Sequence, residues 1–517
     1  MGWSRAAEGR EVLVLFPTKL DEIISEEHPV RLLDAILKKV DWTPWEAKYK
    51  LTKGMPPIHP RILAGVILFG LLKRIRTSRA LEEALGVRSD FRWLVEGRSI
   101  DHSTISNFRK DNSDSLKDLF VQIGLIAREM GHMQLQQLGY DGTRIRASNR
   151  RSGTRTPDEL QQSKNELEAQ YQEHQKAIEE AQTKEDQAFD IANKIDNDKK
   201  GQTLLDQIGK IDKAIAEIKI IEGEGKQVPA RLPITDPESR IAKNKEGGFA
   251  PNFNPTVTVD IASGFIADCD VIRGTDEQNH MVEAVERVRE NFELGDMPIA
   301  ALADGLMATG ENISQCTEKN IEFFSPAGEG IPANREDPSQ PLSEEQIAKL
   351  PLRGPAPKNG EEDTRTFDKS AFVYDTELDV YWCPMGEKLE RYYESKDHRG
   401  DPRFGYRTTK ETCAGCPLKD QCFKNSRNQY GRRIECGEHE KAKQAHSAKM
   451  QRPESKEIYK RRAPATEGAF ATIKQVFGVR EFLTRGLDRV RDEWRWLACA
   501  SNVIRLMNLT KARSNAP

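Results

Sequence analysis

The chain has 517 residues, of which 31% are charged and 37% hydrophobic, and its formal net charge is −3. That length exceeds a single ordinary core and predicts several soluble domains. The near-neutral balance gives by itself no argument for a nucleic-acid partner. Met1-Gly-Trp-Ser-Arg5 leads into charged residues without an apolar h-region, so no signal peptide is expected. The longest apolar run, Ile62 to Leu72, ends at Lys73-Arg74 and is too short to cross a bilayer. Eight cysteines in so long a chain suggest no disulfide framework, and their clustering points to metal in a reducing compartment. A cytoplasmic protein with no membrane partner is expected.

Residues 1–133 form a helical domain. Leu20, Ile23, Ile24, Leu32, Leu33, Ile36 and Leu37 make short amphipathic patterns, and Ile62 to Leu72 is a core helix. Asp101-His-Ser-Thr-Ile-Ser-Asn-Phe-Arg109 follows, with Asp101 or Ser103 as N-cap and Ile105 and Phe108 facing inward. Ser103, Thr104, Asn107 and Arg109 are then left facing outward. Such a helix after a helix-turn suits DNA contact, although an all-helical scaffold with polar faces would read the same way.

Residues 134–154 contain the first strand, where Asp141-Gly142 interrupts alternating Leu135, Ile145 and Ala147. An acid in mid-strand is unfavourable for strand formation and is often a ligand, or else a turn residue. Residues 155–245 read as a helical hairpin. Thr156-Pro-Asp-Glu159 opens it, Leu160, Leu167, Tyr171, His174, Ile178 and Ala181 run along one seam, and a polar break falls at Asp196 to Gly201. Leu204, Ile208, Ile211, Ile215 and Ile218 resume the rhythm in a coiled-coil manner.

Residues 246–310 change to β character, with strands at Thr256 to Asp260 and Gly264 to Ile272 and a helix around Met281 to Val288. Pro298-Ile-Ala-Ala-Leu-Ala-Asp304-Gly305 is apolar throughout and ends in an acid, as in a strand buried on both faces. Asp304 would lie at its carboxyl end, where open α/β sheets place ligands, or else in an ordinary Asp-Gly turn. Residues 311–455 hold a β-hairpin pattern at Phe372 to Cys383 and the series Cys383…Cys413-x2-Cys416-x5-Cys422. Four thiols so spaced suit a tetrahedral Zn²⁺ in a zinc-ribbon-like insertion; an iron–sulfur cluster or unligated thiols remain open.

Residues 456–517 close the chain. A helix opening near Pro464 or Thr466 places Phe470, Ile473 and Phe477 on a buried stripe and Glu467 and Lys474 on a neighbouring face. Between Arg452 and Arg491 ten Lys/Arg stand against five Asp/Glu, a surface suited to a metal held beside a phosphate backbone. Two strand-borne aspartates and one helix-borne glutamate are the parts for two-metal phosphoryl transfer, and carboxylates suit Mg²⁺ or Mn²⁺.

The sequence resembles bacterial insertion-sequence DDE transposases with an InsH-like N-terminal domain. The resemblance is carried by His59-Pro-Arg61, Asp101 to Arg109, Gly139-Tyr-Asp-Gly-Thr143, Ala303-Asp-Gly305, Glu467 to Lys474, Arg485-Gly-Leu487 and Cys499 to Arg505. It implies an α/β, RNase H-like catalytic fold with Asp141, Asp304 and Glu467 as metal ligands. It further implies cleavage of double-stranded DNA at terminal inverted repeats and strand transfer by a homodimer. Tyr459, Arg461, Arg462 and Lys474 would contact DNA. Relatives have three residues between Arg and Glu in this signature, whereas four separate Arg462 from Glu467, so Arg461 or Lys460 could substitute. Leu306-Met307 also replaces a common aromatic. A structure-specific nuclease and a silent DNA-binding relative are the alternatives.

Overall fold

A computed structural model describes residues 19–49, 56–149, 153–183, 191–243, 247–274, 276–326, 335, 337–354, 365–396, 400, 402–423 and 431–514. The chain is mixed α/β and divides into two units. One comprises residues 1–133, 144–255 and 470–517; the other comprises 134–143 and 256–469.

In the first unit the Pro60–Leu72 helix is buried from Ile62 to Leu71, as its unbroken apolar run demands. The chain's closing helix, Leu487–Ser514, packs against it and against Ser113–Glu129. The closing helix, read from sequence as part of the catalytic core, therefore shares its packing with the N-terminal helices. Trp45 is fully buried and stacks on Phe108 with ring centroids 5.3 Å apart. Gly70 lets the turn after the Pro60–Leu72 helix fold back against it, since a Cβ there would lie 2.8 Å from the Ile75 carbonyl oxygen.

The expected helical hairpin is present as Pro157–Thr183 and Ile191–Gly223. Thr156 and Glu159 exchange backbone N–H bonds in the reciprocal manner that the Thr-Pro-Asp-Glu pattern predicts. Leu160, Ile211 and Ala214 form the buried seam, Lys164 pairs with Asp212 across it at 2.7 Å, and His174 is buried within it. Residues 196–201 differ from expectation. They are helical, because the stretch holds no proline and its lysines are good helix formers. Residues 184–190, between the two helices, lie outside the described set.

In the second unit the Gln137–Gly142 strand pairs antiparallel with Thr256 to Asp260 of the Phe249–Asp260 strand. On its other side it pairs parallel with Ile299–Leu302, which in turn pairs parallel with Ile321–Phe324. Ile266–Ile272 pairs with the Phe249–Asp260 strand. The apolar 299–302 segment thus lies between two parallel neighbours, as its composition predicts. Met281–Asn291, Gly310–Glu318 and Glu440–Gln451 are the main helices here. The expected hairpin grows into a five-stranded antiparallel sheet of Val373–Asp375, Val380–Trp382, Lys388–Lys396, Pro402–Arg407 and Arg433–Gly437. Tyr381, Leu389, Tyr406, Ile434 and Cys436 form its buried face.

Candidate active site

Asp141 sits next to last in the Gln137–Gly142 strand, not in its middle. Strand alternation turns Gly139 and Asp141 to one face and Tyr140 and Gly142 to the other. On the first face runs the Arg462–Ala471 helix. A Cβ on Gly139 would lie 3.0 Å from Thr466 Cγ2 and 2.8 Å from Ile261 Cδ1, so glycine lets this helix approach the strand. The approach brings Arg462 Nη1 to 3.1 Å from Asp141 Oδ2 and the Thr466 hydroxyl to 3.2 Å from the same oxygen. The one Thr466 proton is shared between this carboxylate and the Arg462 carbonyl, also 3.2 Å away. Gly142 N–H donates to Asp141 Oδ1 at 2.9 Å.

Burial raises the Asp141 pKa above the usual carboxylate range; Arg462, Gly142 and Thr466 pull it back, and the charge of Asp304 raises it again. Asp304 follows the 299–302 strand by two residues. The parallel register sets Leu302 beside Gly139, so both aspartates come from the carboxyl ends of adjacent strands. Asp304 caps the Gly305–Met307 turn, accepting from Leu306 N–H at 2.9 Å, and its carbonyl accepts from Ser325 Oγ. Leu306, which stands where an aromatic is common, is 73% exposed.

Glu467 is exposed on the turn of helix that follows Thr466. The helix starts at Arg462, after the separate Pro453–Lys460 helix. Pro464 accounts for this break, since its ring would clash with the Lys460 carbonyl in a continuous helix. Arg461 is exposed at the junction, and the Arg462 guanidinium lies 5.8 Å from the Tyr459 ring centroid. Lys474 falls in a π-helical stretch, Thr472–Val476, which departs from the α-helical spacing expected for it, and donates to the Arg144 carbonyl at 3.3 Å.

On the other face of the first strand, a Cβ on Gly142 would collide with the carboxylate of Glu277, and the Tyr140 hydroxyl donates to the Glu277 carbonyl at 3.2 Å. Glu277 was not singled out from sequence, where Thr466 was read only as a possible helix opener and Gly139 only as part of the motif around Asp141.

In the helical unit, Asp101 caps His102–Asp111 through a 2.9 Å bond from Thr104 N–H. The Ser103 and Thr104 hydroxyls donate to this same carboxylate and hold its pKa well below the ordinary range. Ser103 and Asn107 are exposed as expected. Arg109 differs: its guanidinium turns inward and donates to the Arg76 carbonyl at 2.9 Å, and burial lowers its pKa to about 10. Helical geometry places residue 109 one position beyond Phe108, at the margin of the buried stripe rather than opposite it.

Four of the eight cysteines share one place in the second unit. Cys383, Cys413, Cys416 and Cys422 line a pocket of about 330 Å³ with Arg432 at its wall. Burial raises the Cys383 thiol and pushes Cys422 up to about 12, and neighbouring thiols add to both. Cys269, Cys316 and Cys499 are buried core residues, as expected, and Cys436 is buried in the sheet.

Two family models match the chain: a transposase domain (DUF772) over residues 18–111 and a transposase DDE domain over residues 382–507. These matches indicate an insertion-sequence DDE transposase. The family processes nucleic acid and typically uses divalent metal ions. The DDE match takes in Glu467 and all four pocket cysteines, while Asp141 and Asp304 lie outside it. No curated protein matches the chain. Among the described residues no helix is long and apolar enough to cross a membrane. Among the same residues no group of three or more His, Cys, Asp or Glu is gathered closely enough to hold a metal ion. The structure brings Asp141 and Asp304 into electrostatic contact, with Arg462 on the carboxylate of Asp141, but does not gather Glu467, exposed on the adjoining helix, with them into a metal-holding group.

Proposed function

We propose that this transposase binds the terminal inverted repeats of its element in double-stranded DNA and hydrolyses a strand at each end. The freed 3′-hydroxyls then attack target DNA. Joining two ends calls for at least a homodimer on DNA. The observation that carries the reading is the pairing of Asp141 and Asp304 at the carboxyl ends of parallel neighbours, beside the helix that bears Glu467. An RNase H-like core is supported by the strand order: the first strand is antiparallel to Phe249–Asp260 on one side and has two parallel strands in succession on the other.

The donor set fits a hard cation. Asp141 and Asp304 supply carboxylate oxygens where burial and the neighbouring carboxylate disfavour the charge on Asp141, which Arg462, Gly142 and Thr466 offset in part. Asp141, Asp304 and Glu467 would hold Mg²⁺ or Mn²⁺, as two ions. When bound, the ions would favour a deprotonated nucleophile and offset charge on the departing oxygen.

The chain's own residues position. Arg462 neutralises Asp141 and is placed to exchange that carboxylate for a DNA phosphate. Thr466 fixes the carboxylate rotamer. Tyr459, Arg461 and Lys474 would hold the end by its backbone, with little sequence information. Ser103, Thr104 and Asn107 would face DNA from the helical unit, with Asp101 orienting the two hydroxyls; the inward-turned Arg109 would support that helix. The four pocket thiols fit a structural Zn²⁺ by donor chemistry.

Incubation of the protein with labelled terminal repeats, a target plasmid and Mg²⁺ tests the reading. Joined products are expected; cutting without joining would indicate a nuclease. Asp304→Asn should abolish cleavage and retain end binding, and loss of both together would remove the metal role.

A further inference from the structure

The outer face of the five-stranded sheet carries an arrangement that the cleavage site does not use. Arg407 and Arg433 stand directly opposite each other in the register of neighbouring strands. Like charges so placed repel and destabilise a strand pair. Both are exposed, as is Arg403 four residues earlier, opposite Gly437. The guanidiniums are held over aromatic rings: Arg407 lies 4.4 Å from the Tyr392 centroid, and Arg433 lies 5.3 Å from Tyr392 and 5.0 Å from Tyr393.

Two features of the backbone build this platform. The register shifts between Arg391 and Tyr393, a bulge that lets the consecutive tyrosines share a face. Their rings meet edge to face at 4.7 Å. Gly405 lies opposite Tyr393, and a Cβ there would fall within that ring, so glycine lets the tyrosine lie flat across the strand. Glu390 stands opposite Arg407 in the register of the adjoining strand, and Glu435 is the counter-charge beside Arg433. Glu435 accepts from the Tyr393 hydroxyl at 2.5 Å and sits 3.3 Å from Arg433, so it anchors one edge and leaves Arg407 facing outward.

We propose that the Arg407–Arg433 pair is a clamp for the phosphodiester backbone of duplex DNA, with Tyr392 and Tyr393 as the positioning residues beneath it. Two preorganised guanidiniums in register match the bidentate geometry of phosphate, and a bound phosphate relieves the repulsion that the register imposes. The inference rests on the DNA reading above and adds a backbone contact remote from Asp141 in sequence.

The test is fluorescence anisotropy of the full chain with a random-sequence 40-base-pair duplex between about 50 and 200 mM salt. Each lost phosphate contact lowers the slope of log K against log salt by about 0.9, so Arg407→Ala/Arg433→Ala should lower it by nearly 2. Across that range the native protein should then lose about tenfold more affinity than the variant. Arg407→Lys/Arg433→Lys keeps the charges and should keep most of the slope. A circular dichroism spectrum matching native shows that the alanine variant is folded. An unchanged slope in a folded variant overturns the clamp, leaves the transposase reading standing, and points to a protein partner for this face. Native protein that binds no duplex at all overturns both.

Discussion

Arg462 Nη1 lies 3.1 Å from Asp141 Oδ2, an ion pair without the alignment of a hydrogen bond. A guanidinium so placed competes with a cation for the same oxygen. Arg462→Ala should therefore bind Mn²⁺ more tightly at pH 8, by roughly fivefold if the partly buried pair is worth about 1 kcal/mol. The pH dependence should move the other way. Arg462 lowers the Asp141 pKa, so its removal should shift the acid limb of Mn²⁺ binding to higher pH. Manganese titration followed by electron paramagnetic resonance reads both. Weaker binding by the variant at pH 8 would show that Arg462 organises the carboxylate rather than competing for it.

The two glycines beside Asp141 should differ in their response to a methyl group. At Gly139 the new Cβ meets the branched Thr466 side chain on a packed helix, which cannot swing away. Gly139→Ala should cost about 1–3 kcal/mol in urea unfolding, the usual range for overpacking, and should lower cleavage as well. At Gly142 the obstacle is the far end of Glu277, a flexible side chain. Gly142→Ala should stay within about 0.5 kcal/mol of native. Equal costs at the two sites would mean that the helix bearing Arg462 and Thr466 is free to shift.

That contrast bears on what could be read from sequence. The strand leading to Asp304, the capping box at Thr156 and the buried stripe of Phe470, Ile473 and Phe477 were legible because periodicity and caps are local. The motif around Asp141 was legible as residues, but the reason for its glycines was not. Gly139 is read by a helix more than three hundred residues later, and no local pattern encodes that contact. Arg109 was misplaced because a position at the edge of a buried stripe can turn either way, and the Arg76 carbonyl decided it. The Arg407–Arg433 register pair depends on a bulge at Tyr392 that shifts which side chains share a face. Pairing between strands lies beyond a reading that treats each strand alone.

The pocket of Cys383, Cys413, Cys416 and Cys422 makes its own prediction. Protein purified under reducing conditions should carry one zinc per chain by elemental analysis, and Cys413→Ser/Cys416→Ser should lose it. The five-stranded sheet should then melt earlier, because the pocket closes against Leu418 and the buried sheet face. Iron with a visible absorption band would replace zinc by a cluster. Metal-free native protein with the stability of the variant would show the thiols to be packing residues.

Asp236 offers a test of stability against pH. It is 2% exposed, its Oδ1 accepts from Gly486 N–H at 3.2 Å, and its Oδ2 has no hydrogen-bond partner. Burial, with Glu238 and Glu217 nearby, raises its pKa to about 6 against the opposing Gly486 bond. The folded state thus holds the proton more tightly than the unfolded chain, whose aspartate titrates near 4. Its contribution to stability is complete below about pH 4 and is lost as pH rises through about 6, by up to roughly 3 kcal/mol. Asp236→Asn mimics the neutral form, so it should melt above native at pH 8 and level with it near pH 4. The helix that begins at Leu487 opposes this effect, since a helix N-terminus favours a nearby anion. A variant less stable than native at pH 8 would therefore mean that the charged carboxylate caps Leu487–Ser514 more strongly than its burial penalises it.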